Sequence, residues 1–300
     1  MQSFSIEEAA ARIRAGEPVA IPTETVYGLG ANALDAAAVA KLYELKGRPS
    51  TSPLIVHVSS IEMARSIVAE WPEKAEELAQ RYWPGPLTMV LPKSPAIPDV
   101  VTAGLPTVGV RMPNHPTALK LIELAGVPIA APSANRFASL SPTTAEHVRE
   151  AFGDQVPVLD GGPCQVGIES TVISIHDGRL RLLRPGMIAF DQIEQTAARE
   201  GSHESPGMHP KHYSPRTRLI VVGSPDELPD RLGAYLWRTK PGIASRSIRL
   251  PRSAAAYAHD LYRVLHEVDH EGWPWIAVEA VPETPQWAAI RDRLNRASSV

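Results

Sequence analysis

Apolar residues recur along this chain in short runs, set between longer stretches with helical spacing. The first run, 18–21, reads as a buried strand. It follows a segment in which Ser5 and Glu8 have the spacing of a capping box and Gly16 is a C-terminal stop, which predicts a helix over 5–16. A second helix is predicted from its cap Asp35 to Lys46, closed by Gly47. Runs at 54–58, 88–91, 108–110, 127–131, 171–175 and 180–183 predict strands, with helices at 60–70, 73–82, 115–125 and 142–151. In the last of these, Pro142 at the first helical position makes Ser141 the expected N-cap. The alternation predicts an α/β domain built on a mixed sheet.

Residues 201–216, GSHESPGMHPKHYSPR, break this pattern, being rich in Pro, Gly, Ser and His without an apolar period. They predict a linker. Beyond them the pattern gives a strand at 219–222, a helix at 225–236, a strand at 246–250, a helix at 253–270, a strand at 275–280 and a helix at 285–297. That is a small Rossmann-like βαβ domain. The expected division is 1–200, a linker or lid over 201–215, and 216–300.

A hydrophobic fraction of 44% and a charged fraction of 21% suit a globular protein and supply an ample core. The single cysteine, Cys164, excludes an intramolecular disulfide and fits a reducing compartment. The N-terminal segment lacks the basic head and apolar middle of a signal peptide, and no apolar run approaches the ~18 residues of a membrane span, so a cytoplasmic location is expected. Residues 1–200 carry 17 Lys and Arg against 22 Asp and Glu, a net of −5; residues 201–300 carry 13 against 11, a net of +2. Neither part is basic enough to argue nucleic-acid binding from charge alone.

The chemistry is concentrated in polar segments at strand ends. PTETVYGLGANA, 22–33, puts two Thr, a Glu, a Tyr and two Gly into what reads as one loop, and loops on a rigid scaffold are where ligands are held. KGRPSTSPLIVH, APSANRFASLSPT and ESTV follow. Lys46 and Arg48 flank a helix end, where they cap the dipole and equally suit phosphate. His57 leaves its strand on the face opposite Leu54, Val56 and Val58. Ser133, Asn135 and Ser141 surround a predicted helix N-terminus, a ready anion site. Arg111 and Arg184 each end a strand, with Ser170 and Thr171 near another. Together these segments predict a polar pocket for a nucleotide and a small polar substrate.

Two further patterns are declined. Gly28-x-Gly30-x-x-Ala33 matches a permissive dinucleotide fingerprint, but it sits too far from the preceding strand and no acid follows ~20 residues on. His266-Glu-Val-Asp-His270 matches HExxH, yet Leu261, Val264, Leu265 and Val268 form the core face of that helix and no third ligand follows. No P-loop or GxSxG is present, and Cys164 reads as a loop residue.

In order, PTETVYGLGANA, KGRPSTSPLIVH, WPGPLT, VRMPNHP, APSAN, SPTTAEHV, LDGG, ESTV and LRPG resemble the successive motifs of the YrdC-domain family, over about 5–215. PGMHPKHYSP with a small C-terminal domain is similar to that family's long, two-domain form. The resemblance implies a twisted α/β sheet with a concave polar groove, and formation of threonylcarbamoyl-AMP and pyrophosphate from L-threonine, bicarbonate and ATP. A threonylcarbamoyl transferase complex would then modify tRNA, which this chain meets only indirectly. The resemblance assigns Thr25, His57, Arg111, Ala131, Ser170 and Thr171 to threonine. It assigns Lys46, Arg48, Ser52, Thr107, Ser133, Asn135, Ser141, Arg184 and Tyr213 to ATP; the family often has Asn where Ser52 stands. Mg²⁺ is expected to come with ATP, held through phosphates rather than by protein ligands, and no tightly bound organic cofactor is expected. The competing readings are an RNA-binding module without catalysis, carbamoyl transfer to another acceptor, and a metalloprotease built on HEVDH.

Overall fold

The structure, a computed structural model of the chain, describes residues 4–49, 51–176, 179–190, 194–195, 213–229 and 232–298. Most of the expected linker therefore lies outside the described residues. The elements run α1 (Ile6–Arg14), β1 (Val19–Ile21), β2 (Gly28–Asn32), α2 (Ala36–Lys46), β3 (Ile55–His57), α3 (Ile61–Ser66), α4 (Glu73–Tyr82), β4 (Leu87–Pro92), α5 (Asp99–Thr102), β5 (Thr107–Arg111), α6 (Pro116–Ala125), β6 (Ile129–Ala130), α7 (Ala145–Phe152), β7 (Thr171–His176), β8 (Arg179–Arg184) and β9 (Glu194–Gln195). β10 (Leu219–Val222), β11 (Ala234–Trp237), β12 (Arg246–Arg249), α8 (Ala254–His270), β13 (Ile276–Glu279) and α9 (Ala288–Ser298) follow.

The first nine strands form one mixed sheet in the order β1-β2-β6-β3-β5-β4-β7-β8-β9. β3 pairs parallel with β5 and antiparallel with β6, and this puts His57 in register with both Arg111 and Ile129. The polar ends of β3 and β5 thus emerge side by side. The helix starts follow their local sequence. Ser5 and Glu8 make the capping box of α1, and Asp35 accepts from the amides of Ala37 and Ala38 at the start of α2.

Three sequence expectations are corrected here. Residues 28–32 are not loop but strand β2, paired with β1 and β6, so only 22–27 loop out. Gly30 hid the strand: a Cβ there would lie 2.9 Å from Ile129 Cγ2, so the close packing of the sheet requires glycine. α7 begins at Ala145 with Thr144 as its N-cap, because the Pro142 carbonyl is taken by the Tyr27 amide (2.8 Å); Ser141 lies outside the helix. Finally, 225–236 is not a helix. Pro225 and Glu227 bound a single tight turn, and Ala234–Trp237 is β11.

The four strands β10-β13-β11-β12 form an all-parallel sheet. β11 is internal to it and buried on both faces, so its sequence is a continuous apolar run with no alternation to mark a strand. The large twisted sheet and the second domain with its parallel sheet agree with the expected fold class. The second domain's core takes in Val26, Leu140, Ile168 and Tyr213, which border or line the polar groove of the first.

Candidate active site

One cavity, with about 530 Å³ of empty space partly open to solvent, gathers the ends of the strands and the loops between them. Nine of the residues singled out from the sequence line it: Thr25, Arg48, His57, Arg111, Ala131, Ser133, Ser170, Arg184 and Tyr213.

The 22–27 loop forms one wall. Thr23 Oγ1 donates to the Val26 carbonyl (2.6 Å), accepts the Thr25 amide (3.2 Å) and bonds the Thr25 hydroxyl (2.9 Å), which stiffens the loop from within. Between them, Glu24 turns inward and accepts from Arg111 at 2.6 Å, with both side chains buried. Arg111 Nε and Glu24 Oε1 have no partner within the described protein. Beside this pair lies His57, 3% exposed, with Nδ1 unpartnered. Burial first, and then the Arg111 charge, push its pKa down to about 3, so the imidazole is neutral at pH 7.

The opposite wall is cationic. Arg48 donates to the Pro53 carbonyl (3.3 Å) and its Nε is unpartnered; Arg184 donates to the Ser170 carbonyl (3.0 Å) and hydroxyl (3.1 Å). Burial is the main cause lowering the pKa of both, so each is a cation held under a desolvation penalty. A bound anion relieves that penalty. Ser170 is fixed in turn by the Thr88 hydroxyl (2.8 Å).

Six singled-out residues stand outside the cavity. Lys46 is buried behind it, donating to the carbonyls of Ser133 (2.6 Å) and Asn135 (2.5 Å); burial, before the charges of Arg48 and Arg136, lowers its pKa well below the ordinary value. It braces the loop that carries Ser133. Asn135 Nδ2 closes that loop on the Ser139 carbonyl (2.7 Å). Ser141 donates to Glu169. Thr171 donates to the Ile188 carbonyl (2.9 Å). Ser52 is buried and accepts the Tyr43 hydroxyl through its carbonyl (3.0 Å), while Thr107 begins β5, at the end away from Arg111.

Glu169 lines the cavity too, and sequence reasoning missed it, as it missed Glu24. Both are carboxylates neutralised by an arginine distant in sequence, a pairing no local pattern announces. The ESTV motif was the available signal, since Glu169 is its first residue.

The two declined motifs are absorbed otherwise. His266 Nε2 meets the Ser141 carbonyl (3.1 Å) and its ring stacks on His147, while His270 faces Glu150 (3.3 Å). Among the described residues no group of three or more His, Cys, Asp or Glu is placed to hold a metal. Cys164 is buried and its thiol is pushed up to about 12, chiefly by burial, so it stays protonated. Among the described residues no helix is long and apolar enough to cross a membrane.

A mixed sheet whose strand-end loops enclose buried arginines, hydroxyls and a neutral histidine defines a nucleotidyltransferase-type site for anionic reactants. The Sua5–YciO–YrdC family, described as Telomere recombination, matches residues 11–186, and the family described as Threonylcarbamoyl-AMP synthase, C-terminal domain, matches residues 183–299. The chain belongs to the two-domain threonylcarbamoyl-AMP synthase family. It is 42% identical to the threonylcarbamoyl-AMP synthase of Pyrococcus abyssi, over 99% of this chain and 95% of that protein. It is also 42% identical to that of Bacillus subtilis, over 98% and 92%. The crystal structure of P. abyssi Sua5 complexed with L-threonine superposes with a TM-score of 0.91 at 40% identity, covering 99% of this chain and 95% of that one.

Proposed function

We infer that this cavity joins L-threonine, bicarbonate and ATP into threonylcarbamoyl-AMP, releasing pyrophosphate. The observation that carries the reading is the convergence on one cavity of Thr25, His57, Arg111, Ala131 and Ser170 with Arg48, Ser133, Arg184 and Tyr213. In this reading the first set holds threonine and the second holds ATP. Lys46, Asn135 and Ser141 support the nucleotide wall from behind, and Ser52, Thr107 and Thr171 act through the strands and loops they anchor.

The threonine amine attacks bicarbonate and water leaves, giving a carbamate. A carbamate oxygen then attacks the α-phosphorus of ATP, and the bond to the β-phosphate oxygen breaks to release pyrophosphate. Both reactants are anions, so the site must first offset their repulsion. Arg48 and Arg184 face the phosphates; Arg111, half-neutralised by Glu24, takes the amino-acid carboxylate. Neutral His57 orients polar groups without adding charge. A positioned donor of this kind is worth ~3 kcal/mol in the transition state. Mg²⁺ enters on ATP as part of the substrate, since Glu24 and Glu169 are each held by an arginine.

The division into a catalytic domain 1–200, a linker 201–215 that closes over the nucleotide, and a domain 216–300 belongs to the same reading. So does delivery of the product to a threonylcarbamoyl transferase complex acting on tRNA, in the cytoplasm. Pyrophosphate release from ATP, measured with and without L-threonine and bicarbonate, tests it. Release requiring both is expected. Release without threonine would point to another acceptor, and no release, with salt-dependent RNA binding, would make this an RNA-binding module.

A further inference from the structure

The largest fully buried side chain among the described residues is Arg293, on α9 of the second domain. Its Nε donates to Glu169 Oε2 (2.8 Å), its second terminal nitrogen reaches the Glu169 carbonyl (3.4 Å), and its first donates to the Pro185 carbonyl (2.9 Å) and to Asp292 (2.9 Å). Its guanidinium lies 5.3 Å from the centre of the Tyr213 ring. One fork therefore ties together the segment before β7, the segment after β8 and the aromatic ring at the cavity wall. Ser170 lies in the first of these segments, and Arg184 ends β8 directly before the second.

Glu169 is the centre of this arrangement. Its carboxylate accepts from Ser141 on one oxygen and from Arg293 and the Tyr262 hydroxyl (3.2 Å) on the other. Tyr262 sits on α8, so both of the partners on that oxygen come from the second domain. Burial pushes the Glu169 pKa up, but Arg293 first and then Arg184 outweigh it, and the acid is held ionised below its ordinary range. An ionised carboxylate lining a cavity built for phosphates works against the ligand unless a cation outside the cavity claims it.

We propose that Arg293 is a positioning residue for the reaction: from the second domain it claims Glu169, so that the Arg184 guanidinium serves the nucleotide rather than this carboxylate. Tyr262 assists by holding the same oxygen. The second domain is then part of the nucleotide site without touching the nucleotide, and separating the two domains disarms the catalytic cavity.

The proposal rests on the synthase reading. Its test is a kinetic cycle in the full chain with Arg293→Met, Glu169→Gln and the double variant, each checked for native circular dichroism, with pyrophosphate release as the readout. Arg293→Met removes the cation that claims Glu169 and leaves Arg184 as the arginine charge acting on it. The apparent KM for ATP is expected to rise about tenfold or more, and that for threonine several times less. Adding Glu169→Gln removes the carboxylate and is expected to restore most of the ATP KM, a coupling that a merely structural arginine would not produce. If Arg293→Met does not fold, the double variant, which buries neither charge, and Tyr262→Phe carry the test, the latter with an ATP KM raised about threefold. A double variant no better than Arg293→Met, equal changes in both KM values, or in the fallback case an unaltered ATP KM in Tyr262→Phe, overturns the proposal. Unmutated protein that releases no pyrophosphate would instead overturn the synthase reading on which it depends.

Discussion

His147 of α7 and His266 of α8 stack face to face across the boundary between the two domains, with ring centroids 3.8 Å apart and planes 15° from parallel. Each ring is anchored: Nδ1 of His147 accepts the Thr143 amide (3.3 Å), and Nε2 of His266 meets the Ser141 carbonyl. Around them stand His270, paired with Glu150, and Arg216, paired with Asp269. Burial first, and then the charge of the neighbouring histidines, hold His147 at about 3 and His266 at about 4.

This pair makes the docking of the domains sensitive to acid. Both folded pKa values lie below the ~6.5 of an unfolded histidine, so the unfolded chain takes up protons first as pH falls. The stability they supply is whole above about pH 6.5 and is lost progressively on the way down to about 4 for His266 and about 3 for His147. Thermal unfolding followed between about pH 7 and pH 4 is expected to show a falling midpoint. His147→Phe, which keeps a stacked ring but cannot take a proton, is expected to flatten that slope. An unchanged slope would shift the acid sensitivity to another buried group, of which His57 is the next.

The Glu24–Arg111 pair gives an asymmetric prediction. With both side chains buried, removing one partner strands the other charge, which costs about 3–5 kcal/mol. Arg111→Ala is expected to lower the unfolding free energy measured in urea by that amount and to abolish threonine-dependent pyrophosphate release. Glu24→Gln keeps the shape and a side-chain oxygen that can still accept from Arg111, so it is expected to change threonine KM with only part of that loss of stability. Equal stability losses in the two variants would mean that the paired charges, and not the hydrogen bond that Gln keeps, hold this wall.

Tyr213 lies near the end of the expected linker, 1% exposed, between Arg293 and the Tyr262 ring 6.0 Å away. Tyr213→Ala opens the cavity wall on the side where the nucleotide is read to bind. Turnover is expected to fall about tenfold or more while the first domain keeps its fold, seen as unchanged far-ultraviolet circular dichroism. Full turnover in this variant would remove the closing segment from the mechanism.

Which parts of the site the sequence exposes follows from how each residue is held. Thr25, His57, Ser133 and Ser170 sit in polar stretches at strand ends, where no core requirement explains them. Glu24 and Glu169 look like ordinary charged positions until the fold brings Arg111 and Arg293 to them from 87 and 124 residues away. Ser141 reads as a helix cap because Pro follows it, and only the hydrogen bond from Tyr27 to Pro142 reveals that the helix starts later. β11 fails for the opposite reason: burial on both faces erases the alternation that marks a strand.

Gly167 offers the sharpest test of how the domains are joined. Its φ is +82°, in the left-handed region, and a Cβ built on it would lie 2.5 Å from the Ala258 carbonyl oxygen and 2.6 Å from His259 Cα. Both are backbone atoms of α8, so no side chain can turn aside and the helix itself must move. Next to it, Gln165 presents its carbonyl to His259 Nδ1 (3.0 Å) and Ile168 is buried in the second domain's core. Gly167→Ala is therefore expected to cost about 2–4 kcal/mol, from overpacking plus the unfavourable φ. The loss should fall on the contact between the domains rather than within either. Tryptophan fluorescence can separate them, because Trp71 and Trp83 report the first domain and Trp275 and Trp287 the second. Unfolding is expected to divide into two transitions, with pyrophosphate release falling in step because Glu169, two residues on, loses Tyr262 and Arg293 together. A single transition at the original midpoint, with release undiminished, would show that α8 yields freely and that the second domain does not hold the site in place.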